Sequence, residues 1–224
     1  MPRPPEIYVF DAFGTLFDVH AAVRQNAEAI GEKATRLSEL WRAKQLEYTW
    51  FYAGRGTYMP FRGITRDSLL YALDALQLTH DLALPLLESY QRLEPFPEVA
   101  ECLRTLKARG ARLAILSNAD PDMLDDLIEA AQFRDFIEYL ITVAVAGTFK
   151  PAPNVYALAV EVFAMPASDM TFVSSNRWDV AGAKASGFQT VWVNRGGTPD
   201  EYLDYAADQI FKDIVPLTHS RKRV

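Results

Sequence analysis

Four short segments of this chain concentrate groups that can do chemistry: Asp11-Ala12-Phe13-Gly14-Thr15, Ser117-Asn118, Phe149-Lys150-Pro151 and Ser174-Ser175-Asn176-Arg177-Trp178-Asp179. Together they offer two carboxylates, one ammonium, the hydroxyls of Thr15, Ser117 and Ser174, and the amides of Asn118 and Asn176. Asp11 stands directly after an apolar run, where a carboxylate is costly to desolvate unless partners or function retain it. A turn-capping role would account for that position equally well. Gly14 and Thr15 favour chemistry, because glycine lets the backbone curl around the carboxylate and a threonine hydroxyl can donate to a bound anion.

Groups so far apart in sequence meet only if a fold gathers them. Four β-branched runs, Ile7 to Phe10, Leu113 to Leu116, Thr171 to Val173 and Thr190 to Val193, read as buried parallel strands. Helical stretches (Pro121 to Ala131, Pro153 to Phe163, Val180 to Ser186) lie between or beside them. This alternation predicts an α/β fold with a doubly wound, Rossmann-like parallel sheet, whose ligands collect at the carboxyl ends of the strands. Asp120 before Pro121 reads as an N-cap and first-turn pair.

The interval from Val19 to Pro95 differs: helical patterns over Val19 to Ile30, Leu37 to Tyr52, Arg66 to Leu76 and Leu82 to Leu93 contain no convincing strand. It predicts an all-helical insert after the first strand. The prolines of Glu94-Pro-Phe-Pro-Glu98 mark its exit, so residues 1–18 and 96–224 are expected to form the core and 19–95 the insert.

Composition limits the partners. With 23 basic and 29 acidic residues in 224, the formal charge of −6 argues against nucleic acid and anionic membranes. The basic cluster Arg221-Lys222-Arg223 reads as a solvated terminus. Cys102 is alone, so no intramolecular disulfide forms, and it sits in a helical run as a small hydrophobe. His20, His80 and His219 share no ligand spacing. Without a signal-like or membrane-spanning apolar run, a cytoplasmic enzyme is expected.

The four segments, in this order and with a helical insert after the first, resemble the motifs of the haloacid dehalogenase superfamily, and the insert resembles its cap domain. That superfamily is dominated by phosphatases, which place a second aspartate two residues after the nucleophile and a Gly-Asp pair in the fourth motif. Here those positions hold Phe13 and Ser174-Ser175. Halide leaves as a stable anion and needs no acid, whereas an alkoxide does, so the departures suit dehalogenation. They also lower the carboxylate count for magnesium, and a site with neither metal nor cofactor is expected. The Ser-Ser-Asn-Arg-Trp-Asp string, Phe13 and the cap sequence Leu40-Trp-Arg42-Ala-Lys-Gln-Leu46-Glu-Tyr-Thr-Trp50 resemble the L-2-haloacid dehalogenases specifically.

The resemblance implies that Asp11 attacks C2 of a small 2-haloacid, expels halide and forms an aspartyl ester, which water hydrolyses at the Asp11 carbonyl. It implies that Arg42, Asn118 and Phe61 meet the halide, that Thr15 and Ser117 orient Asp11 and the substrate carboxylate with loop amides near Ala12, and that Lys150 offsets anionic repulsion. Asp179, with Ser174 and Asn176, would position the hydrolytic water, and either Asp179 or Lys150 would handle its proton. Phe13, Leu46, Phe61, Tyr156 and Trp178 would form an apolar wall; core packing is the plainer role for each aromatic. Asn176 could instead cap a helix.

Ala43 departs from the glutamine frequent in that group and, with Gly54-Arg-Gly56, is expected to shape specificity. Trp41, Trp50, Phe51, Tyr52 and Tyr58 predict a homodimer with cap residues at the interface. The competing reading is a phosphatase of the same superfamily acting on a small phosphomonoester.

Overall fold

Apolar β-branched and aromatic runs form the strands of a six-stranded parallel sheet: β1 (Ile7–Phe10), β2 (Arg112–Ser117), β3 (Tyr139–Thr142), β4 (Met170–Ser174), β5 (Gln189–Val193) and β6 (Gln209–Phe211). Their order is β3-β2-β1-β4-β5-β6, so strand order reverses between β1 and β4. Phe10 pairs with Ile115 on one side and Val173 on the other. All four residues of β1 are buried, as a central parallel strand covered on both faces requires. The computed structural model describes residues 5–219; the basic cluster at 221–223 lies outside the described residues.

Between β1 and β2 the described chain is helical: α1 (Ala21–Gln25), α2 (Ala27–Ile30), α3 (Ala34–Arg55), α4 (Phe61–Ala75), α5 (Ala83–Tyr90) and α6 (Val99–Ala108). The single helix expected over Val19 to Ile30 is broken at Asn26, whose amide donates to Ala22 O at 2.8 Å and to Ser89 Oγ at 3.0 Å. α4 begins five residues before the expected Arg66, with Pro60 as its N-cap. The two connections to the insert run side by side: Asp18 N donates to Glu94 O at 2.9 Å and Phe96 N to Leu16 O at 3.0 Å.

After the sheet resumes come α7 (Pro121–Ala130), α8 (Pro153–Phe163) and α9 (Arg177–Ala185). α9 starts three residues before the expected Val180, which places Asp179 in its first turn. One hydrophobic core runs continuously from the sheet into the insert, with Val9, Phe10, Leu37, Phe61 and Leu116 all buried in it. Cys102 is buried, and burial pushes its thiol up to about 12. No helix among the described residues is long and apolar enough to cross a membrane.

Candidate active site

The carboxyl ends of β1 and β4, at the reversal of strand order, carry the floor of the site. Asp11 N donates to Val173 O at 2.9 Å, which extends the β1–β4 ladder by one bond and fixes the start of the loop. Gly14, at φ +85°, turns that loop back so that Thr15 can donate to Asp11 Oδ2 at 2.9 Å. Asn176 Nδ2 donates to the same oxygen at 2.9 Å, and Ser174 Oγ lies 3.4 Å from it. Lys150 Nζ donates to the other oxygen, Oδ1, at 3.0 Å. Asp11 is thus held in one rotamer by four side chains from three segments.

Lys150 also donates to Asp179 Oδ2 at 2.8 Å, and Tyr156 OH donates to Asp179 Oδ1 at 2.7 Å. Lys150 and Asp179 are 1% and 0% exposed. Burial pushes the Asp179 carboxyl up to about 6, and the Asp11 charge adds to that, while Lys150 and the Tyr156 hydrogen bond act in the opposite direction. Burial alone would lower Lys150, but the two carboxylates more than offset it and the ammonium ends above its ordinary value. The lysine therefore stays charged across the neutral range. Gly182 makes room for this arrangement, since a Cβ there would strike Tyr156 OH.

The insert closes the site from above. Phe13 stacks on Tyr90 with ring centroids 5.5 Å apart and lies 5.6 Å from Phe61. Arg42, on α3, reaches across to Asn176 Oδ1 at 3.3 Å and donates to Gln45 Oε1 at 2.8 Å. Leu46, one turn further along α3, is half-buried. Trp50 meets Trp178 edge to face at 5.7 Å, joining α3 to the first turn of α9.

On the opposite side, Asp120 accepts hydrogen bonds from Phe61 N at 3.0 Å, Arg62 N at 2.8 Å and Tyr58 OH at 3.1 Å. The expected cap of α7 is thus realised only by the backbone. The Asp120 side chain caps α4 instead, where the first amides of a 15-residue helix attract a carboxylate.

The other expected site residues take the following places. Asn176 begins α9 but makes no side-chain cap; its amide is spent on Asp11 and on Phe13 O, at 3.0 Å. Ser174 and Asn176 both contact Asp11 Oδ2. Ser117 Oγ accepts from Ala119 N at 3.1 Å and makes no described contact with Asp11. Asn118 Oδ1 accepts from Lys150 N at 3.1 Å, so it positions the lysine segment. Tyr156 is a fully buried support behind Asp179 rather than an open wall. Ala12 is buried, and its carbonyl accepts from Leu16 N and Phe17 N, both at 3.0 Å.

Ala43 is exposed on α3, and Gly54, Arg55 and Gly56 are exposed at its end. Of the five aromatics expected at an interface, Trp41 is buried, Tyr52 is half-buried and Tyr58 is engaged by Asp120, which leaves Trp50 and Phe51 as the exposed ones of that set, at 42% and 60%. Sequence reasoning missed Gln45 and Tyr90 and read Asp120 only as the cap of α7. Gln45 could have been found from its spacing, three residues after Arg42 on one helical face.

The residues do not suit magnesium. Ser175 stands where a metal carboxylate would, with its hydroxyl 3.2 Å from that of Thr15. Asp11 and Asp179 are bridged by an ammonium, and no cluster of three or more His, Cys, Asp or Glu occurs among the described residues.

The sequence pattern of the haloacid dehalogenase-like hydrolases matches residues 5–187. Haloacetate dehalogenase H-2 of Moraxella sp. (strain B) is 42% identical over 205 residues, 91% of this chain and 92% of that protein. The (S)-2-haloacid dehalogenase of Pseudomonas sp. (strain YL) is 41% identical over 201 residues, 89% of this chain and 87% of that one. The solved L-2-haloacid dehalogenase of Xanthobacter autotrophicus with chloropropionic acid covalently bound has a TM-score of 0.88 at 34% identity, covering 96% of this chain and 97% of that one.

Proposed function

This chain belongs to the haloacid dehalogenase-like hydrolases, in the L-2-haloacid dehalogenase group, and from that premise we propose that it hydrolyses short L-2-haloalkanoic acids to D-2-hydroxy acids. The observation that carries the reading is the pairing of a rigidly held Asp11 with an aromatic, Phe13, where an acid for a poor leaving group would stand.

An Asp11 carboxylate oxygen attacks C2 from behind, the carbon–halogen bond breaks with its electron pair on the halide, and an aspartyl ester forms. Arg42 reaches the site from the insert as the cation for the departing halide, with Phe61 supplying apolar surface. Water then attacks the ester carbonyl of Asp11. Its oxygen joins the Asp11 carboxylate, the ester bond breaks, and the alkoxide takes a proton to leave as the hydroxy acid. Inversion occurs at C2 once only.

Asp179 accepts the proton of the attacking water. Lys150 cannot, because both carboxylates keep it protonated; its work is to hold Asp11 and Asp179 together and to offset the charge of an incoming carboxylate. The insert acts as a cap over residues 19–95, and neither metal nor cofactor takes part. The protein works in the cytoplasm and pairs as a homodimer through the exposed Trp50 and Phe51 side of the cap.

The test is halide release from each enantiomer of 2-chloropropionate with EDTA throughout and Asp11→Asn alongside. Release from the L enantiomer alone, indifferent to EDTA and lost in the variant, is expected. Magnesium-dependent phosphate release from phosphomonoesters, with no halide release, would overturn the reading.

A further inference from the structure

We infer that Gln45 is a positioning residue for Arg42, holding the guanidinium through a neutral acceptor so that its positive charge stays available to the leaving halide. This rests on the dehalogenase reading of the site.

Gln45 is 1% exposed, and every polar atom of its side chain is used. Its Oε1 accepts from Arg42 Nη1 at 2.8 Å and from Tyr90 OH at 3.2 Å, and its Nε2 donates to Thr65 Oγ1 at 2.8 Å. The amide orientation is decided by chemistry: a guanidinium can only donate, so the oxygen must face it. The acceptor is itself anchored from two directions. Tyr90 is wedged between Phe13 and Trp41, at 5.5 and 5.1 Å, and Trp41 Nε1 donates to Thr65 O at 2.9 Å, tying α3 to α4.

The neutrality of this holder is the informative part. Arg62, Arg112 and Arg177 are each paired with a carboxylate, Asp122, Glu138 and Asp200. Arg42 meets the amide oxygens of Gln45 and Asn176, and among the described residues no carboxylate lies within ion-pair distance of it. An arginine aimed into a closed site without a counter-ion keeps its field for an anionic ligand. A glutamate at 45 has the same shape as glutamine and would neutralise that field. The Thr65 hydroxyl could reverse and donate to it, so the fold has a route to tolerate the change.

The experiment compares wild type, Gln45→Glu and Gln45→Met for kcat and KM on L-2-chloropropionate and L-2-bromopropionate, and for product inhibition by bromide. Bromide leaves more readily than chloride and depends less on Arg42. The expected result is that Gln45→Glu weakens bromide inhibition about tenfold or more and lowers kcat more on the chloro than on the bromo acid. Gln45→Met, which loses the acceptor without adding charge, shifts both in the same direction by less; if Gln45→Glu does not fold, this variant carries the test. Equal loss on both acids with bromide inhibition unchanged would reduce Gln45 to packing and overturn the inference. Failure of the wild type to release halide from either acid would instead overturn the dehalogenase reading itself.

Discussion

The floor of the site and its roof control charge in opposite ways. On the floor, Asp11 and Asp179 share one buried lysine, and their remaining acceptors are filled by Thr15, Asn176 and Tyr156. In the roof, Arg42 is held by neutral amides and has no counter-ion among the described residues. The floor must keep a nucleophile aligned while it is buried, which demands full satisfaction. The roof must receive a charge that appears only during reaction, and a guanidinium already neutralised could not do so.

The largest break in this comparison is expected at the floor. Lys150→Met leaves two carboxylates facing each other without their cation, so activity should fall by on the order of 10³-fold or more and stability by about 3–5 kcal/mol, measured by halide release and denaturant unfolding. Lys150→Arg should not restore activity, because a planar fork cannot occupy the point between the two carboxylates.

In the roof, Arg42→Lys is expected to reduce kcat by roughly 10²-fold with little change in stability, since the residue contributes to the transition state rather than to packing. Comparable unfolding midpoints for wild type and variant would sharpen the contrast with Lys150; a stability loss as large as that of Lys150→Met would erase it.

A subtler effect separates the two functions of the floor. Asp179, pushed up to about 6 by burial, must be ionised to accept a proton, so hydrolysis of the aspartyl ester should fall as pH drops through about 6. The Tyr156 hydrogen bond lowers that value, so Tyr156→Phe should move the acid limb to higher pH. Gly182→Ala, which displaces the same hydroxyl, should move it in the same direction. A pH profile of the preformed ester in single turnover checks both; an unmoved limb would remove Asp179 as the base.

The smallest effect concerns the seam between floor and roof. Asp120→Ala removes the acceptor for the α4 amides and should cost about 0.5–2 kcal/mol, with Asp120→Asn retaining part of it. Thermal unfolding of the two variants reads this directly.

Much of the floor was legible in the sequence because strand ends in a parallel sheet are where such groups must converge. Asp11, Lys150 and Asp179 each follow or precede a recognisable element, and four strands were evident from β-branched runs alone. β3 and β6 were not: β3 is four residues only half buried at its start, and β6 is three residues with Ile210 exposed, so neither carries a clear pattern. The roof was harder to read. Arg42 emerged by resemblance, but the buried partners that hold it lie on three different helices, and Tyr90 sits at the end of α5 with nothing local to mark it. Asp120 was misread for a physical reason: a capping residue followed by proline has the same local signature whether its side chain caps its own helix or another one.

In the proposed reaction an Asp11 oxygen, and not water, displaces the halide. A single turnover of L-2-chloropropionate by excess enzyme in ¹⁸O-water, followed by mass analysis of the Asp11 peptide and the product, tests it most directly. The expected result is ¹⁸O in the Asp11 carboxylate and an unlabelled hydroxyl in the first product formed. Label in that hydroxyl with none in Asp11 would mean that water attacks C2 directly, and the covalent mechanism would be wrong.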